Sequence, residues 1–213
     1  NYVAVSAASK GNKAIGKATP TLTLTGSEIT YNGSSTATVK ASANVAGTIY
    51  YGTSTSMGSS KSASANTEYT LATRTDAGTT TVYAAFVPTD GTNYKSLGSS
   101  SSYSKSASAK VNAASSTLTL TANTKTYNGT TYYVSATSTL AGTVYYGTSS
   151  SSMTNTKSIT AGGTISLDAS GCGRSSAGTT TIYAYLDPTS SNYNNSSRVN
   201  ANVTINKATP TLT

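Results

Sequence analysis

The 213-residue chain has no histidine, no tryptophan and no glutamine, one phenylalanine (Phe86), one cysteine (Cys172), four prolines and six acidic residues. Each shortage closes a line of chemistry. Without histidine the commonest general base and metal ligand is missing. The acids Glu28, Glu68, Asp76, Asp90, Asp168 and Asp187 do not recur at matched positions, so neither a carboxylate pair nor a calcium cage is encoded. Serine is abundant, but abundance alone does not activate a nucleophile. A single cysteine allows no intrachain disulfide, and Cys172 lies in a Gly-Cys-Gly loop with no basic cluster in sequence to lower its pKa. No stretch approaches the ~18 apolar residues of a membrane-spanning helix. We therefore expect no catalytic residues, no metal, no cofactor and no enzyme.

Charge is also scarce. Lys and Arg number 14 against six acids, a net charge of +8, yet charged residues are only 9% of the chain. The cations are single and scattered (Lys40, Lys61, Lys95, Lys157), without the clustering that marks nucleic-acid binders, so nucleic acid is not an expected partner. Leu, Ile, Val and Phe together make 29 of 213 residues, a level at which disorder becomes a live alternative. Against it stand low charge density and strict alternation in runs such as TLTLT and TTTVYAAF, the period of a half-buried strand. A folded chain with thin cores follows, in which Ala, Tyr and Thr fill volume usually taken by Leu and Ile.

What the chain has in quantity is itself. AGTTTVYA (77–84) returns as AGTTTIYA (177–184), TLTLT at 21–25 returns at 117–121, TYNG at 30–33 returns at 126–129, and AGTIYYGTS (46–54) answers AGTVYYGTS (141–149). Order is kept, and the offset stays between 95 (Tyr50 to Tyr145) and 100 (Tyr83 to Tyr183), the size of one small domain. The ends fit the same frame: Asn1-Tyr2 matches Asn93-Tyr94 and Asn192-Tyr193, and KATPTLT at 207–213 matches 17–23. The expected organisation is residues 1–17 as the last strand of a preceding copy, 18–113 and 114–207 as two copies, and 208–213 as the start of another. A last strand without its own sandwich must pair elsewhere, which predicts that residues 1–17 add to a sheet edge, most simply of another copy of the chain.

Strands are predicted in the first copy at 20–25, 37–43, 47–54, 67–73, 79–87 and 103–112, with a further short one at 29–31. Asn32-Gly33, Ala46-Gly47, Asp76-Ala77-Gly78 and Asp90-Gly91 supply turns between them. Short strands at this spacing argue an antiparallel β-sandwich. AGTTTVYAAFVPTDGTNY, followed by a strand and KATPTLT, resembles the bacterial immunoglobulin-like (Big-type, group 3-like) tandem repeats of large surface and adhesin proteins, where a DAGTYTVTA-like strand, a loop ending in NY and a closing strand into KATPT recur. The resemblance implies an all-β chain of tandem antiparallel immunoglobulin-like sandwiches. It also implies a tyrosine hydrogen bond at one corner, where this chain has Thr80 and Thr180.

Alternation places Val82, Ala84 and Phe86 inward, with Ile49 and Tyr51 on the preceding strand. Thr79, Thr81, Tyr83 and Tyr50 then face outward. In the second copy Val144 and Tyr146 face in, while Tyr145, Tyr183 and Tyr185 face out. Outward rings on neighbouring strands can stack on sugars or form a protein contact; equally, tyrosine pairs across strands simply stabilise sheets. Tyr50, Tyr83, Tyr145, Tyr183 and Tyr185 are therefore candidate binding residues. Met57 and Met153 recur in matching loops, as plugs for a sandwich end.

Surface repeats can carry internal crosslinks. The ester kind needs glutamine, and no Lys, Asn and acid set recurs for an isopeptide, so strand hydrogen bonds are expected to carry load. The leading functional expectation is a non-enzymatic extracellular spacer, cell-surface or wall attached, that projects a distal binding region of an adhesin or fibre. Its expected partners are neighbouring repeats or copies. The alternatives are a glycan- or protein-binding module using the tyrosine faces, or a repeat of a phage fibre or capsid decoration in the virion.

Overall fold

A computed structural model describes residues 15–212. The strand expectation for residues 1–17 falls almost wholly outside this range; Ile15 to Lys17 lie outside any strand. No residue described is helical. The strands of the first half are β1 (Leu22–Gly26), β2 (Glu28–Thr30), β3 (Ala37–Ala43), β4 (Gly47–Gly52), β5 (Ser59–Ala63), β6 (Tyr69–Arg74), β7 (Gly78–Pro88) and β8 (Lys105–Asn112). Those of the second are β9 (Ala114–Ser115), β10 (Thr119–Thr121), β11 (Thr124–Thr126), β12 (Ser135–Thr137), β13 (Gly142–Gly147), β14 (Asn155–Ile159), β15 (Thr164–Ser166), β16 (Gly178–Pro188), β17 (Tyr193–Asn194) and β18 (Val199–Asn206).

They form two sheet pairs of one topology. A three-stranded sheet β1-β3-β6 goes with a five-stranded sheet β2-β8-β7-β4-β5, and β10-β12-β15 goes with β11-β18-β16-β13-β14. This is an immunoglobulin-like fold: the first strand segment pairs in one sheet, and the chain then crosses to run beside the last strand of the other. In the second pair that crossing makes β11 parallel to β18, with Thr124 opposite Thr204 and Thr126 opposite Asn206. The hydrogen bond from Tyr127 N to Asn206 O (2.9 Å) extends the ladder, and Tyr31 N to Asn112 O (2.8 Å) is its counterpart in the first half. Contacts divide the chain into two compact units: one built on Ala37–Arg74 and Thr79–Lys110 with the segment ending at Ser27, the other on residues from Val111 onward with Glu28–Thr36 and Thr75–Gly78.

Each sheet pair closes on its own core. In the first, Leu22, Ala41 and Ala43 from one sheet meet Ile49, Ala63, Ala84 and Phe86 from the other. In the second, Val134 and Ala136 meet Val144, Tyr146, Ile159, Ile182, Ala184, Leu186 and Val203, with Leu118, Leu167 and Cys172 completing the cluster. Alternation runs strictly along β3, and on β4 it holds for buried Ile49 and for half-buried Tyr51, which packs against the core, with Tyr50 outside that cluster. It breaks at Ala85, which faces away from the core yet is fully buried. The cover is the segment after the Asn-Tyr motif: Phe86 N donates to Leu97 O and Leu97 N to Phe86 O, both at 2.8 Å. Gly98, at φ +81°, lets this segment turn back, since a Cβ there would enter the Ser102 carbonyl.

The Asn-Tyr motif has a definite job. Ala18 N donates to Asn93 O and Lys95 N to Ala18 O (2.8 and 2.9 Å), and Ala114 N donates to Asn192 O in the second half, where β9 and β17 pair in parallel. Asp90 holds the first of these loops, accepting from Thr92 N and Asn93 N at Oδ1 and from Asn93 Nδ2 at Oδ2. Those Asn93 bonds draw its pKa below the ordinary aspartate value. Met57 is buried and Met153 half-buried.

β5 and β14 are edge strands that the sequence analysis did not anticipate. Their central residues, Lys61 and Lys157, stand opposite Ile49 and Val144 and so project from the core-facing side of the sheet. Both reach across the open flank toward the other sheet. Lys61 Nζ lies 5.5 Å from the centroid of the Tyr69 ring on β6. Lys157 Nζ donates to Ser166 O on β15 and to both oxygens of Asp168, all at 2.9 Å. The Lys157 bond lowers the pKa of Asp168.

Candidate binding surface

The five tyrosines singled out from sequence come from matching strands, β4 and β7 in one sheet and β13 and β16 in the other, and all are half-buried. Strand register decides which of them meet. Tyr145 stands directly opposite Tyr185, and their rings stack at 5.0 Å with planes 4° apart. Tyr183 stands opposite Gly147 and Asn200, with no ring directly across from it. In the first half the equivalent of Tyr185 is Ala85, so Tyr50 faces a methyl group on β7 and Ser60 on β5. Tyr83 turns its ring to Tyr103, edge-on at 4.8 Å. Tyr103 had no assigned part in this surface; expected to open the strand 103–112, it lies instead in the irregular segment just before β8.

The two halves therefore present different surfaces from nearly the same motif. Among the described residues only the second has a stacked aromatic platform. Beside it, Tyr185 lines a shallow recess of about 290 Å³ with Asn195, Ser196 and Arg198. Arg198 is held by a bond from Nη1 to Ser150 O (2.8 Å), and Ser196 Oγ accepts from Leu186 N (2.8 Å), which fixes the recess wall. An aromatic face with an amide and a guanidinium at its edge can take a planar or ring-shaped polar ligand.

The corner expected to hold a tyrosine hydrogen bond is built otherwise. Arg74 Nη1 donates to Thr80 Oγ1 (3.2 Å) and Arg174 Nη1 to Thr180 Oγ1 (3.3 Å), six residues apart in both cases. Arg174 Nη2 also donates to Ala177 O at 2.7 Å. A guanidinium, at the end of β6 in the first half and in the loop before β16 in the second, thus does the work of a phenol, and the threonine hydroxyl is its acceptor. Gly178, at φ +129°, leaves room for it, since a Cβ there would sit inside the Arg174 head group. The readable signal was the arginine itself, three residues before AGTTT in both TRTDAGTTT and GRSSAGTTT.

Cys172 is not at the surface. It is 2% exposed and belongs to the second core, and burial pushes its pKa up. Among the described residues no three His, Cys, Asp or Glu side chains gather as a metal site. The ion pairs Lys40–Glu68 (2.7 Å) and Lys157–Asp168 (2.9 Å) sit on the surface.

Compared with known proteins, the chain matches no family model and no curated protein. Among solved structures it is similar to the fibronectin(III)-like modules of Clostridium thermocellum CbhA, at 13% identity and a TM-score of 0.34 over 88% of this chain and 95% of that one. It is also similar to the human OSCAR ligand-binding domain (14%, TM-score 0.30, 89% and 99%) and to a marsupial T cell receptor (10%, TM-score 0.33, 90% and 73%).

Proposed function

We propose that this chain is a non-enzymatic extracellular spacer from a bacterial surface adhesin or fibre, in which sandwiches of this kind set length and bear tension. The observation that supports it most is the parallel pairing of β11 with β18. Because the early strand and the last strand run side by side in the same direction, pulling on the two ends loads their hydrogen bonds together in shear rather than one at a time. In the first half β2 neighbours β8, and Tyr31 N donates to Asn112 O at the corresponding place. A chain with only 9% charged residues and many small hydroxyls suits an exposed, protease-facing stalk.

Single-molecule stretching of the full chain tests this. Two unfolding events of similar contour length are expected, each at a force well above that for unzipping a β-hairpin. Tyr127→Pro, which removes the donor to Asn206 O, should lower one of the two forces and leave the other. Smooth extension without peaks, or a Tyr127→Pro chain indistinguishable from the parent, would overturn the load-bearing reading.

The Tyr185 recess favours a second reading, a glycan-binding module. On a glycan array the Tyr145→Ala, Tyr185→Ala double variant should lose at least tenfold in binding to any sugar the parent retains, while Tyr50→Ala with Tyr83→Ala should not. Absence of binding by the parent chain would remove this reading and leave the spacer.

A further inference from the structure

The two sheet pairs differ most at one equivalent place. Tyr69 stands opposite Ala41 and Ile165 opposite Ala136, and each is followed two residues on by a leucine, Leu71 and Leu167, although a bulge at Val39/Lys40 in the first half sets Ala72 rather than Leu71 opposite Val39. From there to the corner arginine the first half has two residues, Ala72 and Thr73; the second has six, Asp168 to Gly173. The longer connection drops Cys172 into the core, its Sγ 3.7 Å from Asn155 Nδ2, beside Tyr146. In the first half the residues equivalent to Tyr146 and Asn155 are Tyr51 and Ser59, paired in the same register. There, with no plug, an open cleft of about 460 Å³ remains, lined by these two and by Gly52, Thr53, Leu71, Ala72 and Val82 among others. That volume is in the range of small-molecule sites, ~300 to 1,000 Å³.

The chemistry of the lining narrows what could enter. Val82, Leu71 and the Tyr51 ring make an apolar floor, and Thr53, Ser56 and Ser59 supply hydroxyls at the rim. No lining residue is charged. Among the described residues the hydroxyls of Tyr51, Thr53, Ser56 and Ser59 bond to no other group of the protein. A charged ligand would be desolvated without compensation, and a wholly apolar one would leave those hydroxyls unpaired. What fills the same place in the second half is a small apolar group carried on peptide amides. We propose that the cleft binds a neutral N-acetylated amino sugar, its acetamido methyl taking the position of the Cys172 side chain and its ring hydroxyls meeting the rim. This rests on neither the spacer reading nor the tyrosine platform, which lies on other residues.

The test is an amide NMR titration of the full 213-residue chain with N-acetylglucosamine, beside glucose, which lacks the acetamido group, and acetyl-alanine amide, which lacks the sugar. Saturable shifts are expected at Gly52, Thr53, Ser59 and Ala72, and not at Gly147 or Asn155, with both comparison ligands at least tenfold weaker. Two variants should each weaken binding at least tenfold: Ala72→Leu, and a graft that replaces Ala72 and Thr73 with the six residues Asp168 to Gly173. The graft guards against misfolding of Ala72→Leu, because that loop already closes the same fold in the second half. Four results would each overturn the proposal: no saturable shift, equal binding of glucose, tighter binding of the peptide amide, or binding undiminished in the folded graft.

Discussion

Phe86→Ala is expected to lower the unfolding free energy of the first sheet pair by about 4 kcal/mol, near the top of the range for emptying a buried aromatic site. Phe86 is fully buried, and its neighbours in the core include Ala41, Ala43, Ala63 and Ala84. Alanines have no rotamers with which to swing into a vacated space, so the cavity would stay open rather than collapse. The ring also packs closely on Gly47, where a Cβ would approach Phe86 Cζ to 2.6 Å. Phe86→Leu should cost less than about 1.5 kcal/mol, because the position tolerates that shape: Leu186 holds it in the second half, opposite Val144 as Phe86 is opposite Ile49. Urea titration read by hydrogen exchange and mass spectrometry would separate peptides of the two units. A loss under about 1.5 kcal/mol for the alanine variant would show that the core does not hang on this ring.

The second large effect is expected at Gly178→Ala, about 3 kcal/mol. Two costs combine: an L side chain at φ +129°, of order 1 to 3 kcal/mol, and displacement of the Arg174 head group, which loses charge-assisted bonds to Thr180 Oγ1 and Ala177 O. Arg174→Met keeps the methylene packing and removes those bonds, at a cost of about 1 to 2 kcal/mol. In the double variant the new methyl has no guanidinium to displace, so the total should fall short of the sum by about 1 kcal/mol or more. Strict additivity in denaturant melts would mean that the corner glycine and the arginine are independent, contrary to the geometry.

The parts of this fold that could be read in advance were those where side chains alternate. β3 was placed to the residue, and β7 to within one at each end, because Ala37 to Ala43 alternate along the whole strand and Thr81 to Ala84 do so before the break at Ala85. β5 was missed because SSKSA is exposed at four of its five positions and writes no period at all. The burial of Ala85 was not legible either, for a different reason: its cover is a non-repeating segment that pairs through backbone atoms at Leu97, which leave no mark in side-chain pattern. At the corner, a family habit suggested tyrosine while the chain's own repetition of arginine before AGTTT carried the answer. The five candidate tyrosines lie on the matching strands β4, β7, β13 and β16. Their pairing depended on one letter, Ala85 against Tyr185, whose meaning emerges only once the strands are in register.

Lys61 and Lys157 have a consequence for how such a chain avoids itself. Two sheets with nearly the same sequence, made by one polypeptide, invite mispairing in which an edge from one copy docks against an edge from another and the sheets fuse. An incoming strand that extended β5 or β14 would have to cover an ammonium group standing on the inner side of the edge, cut off from water and from its present contacts with Tyr69 or Asp168. The inward lysine is thus a guard against fusion between copies, and it can stand there only because the flank between the sheets is left open.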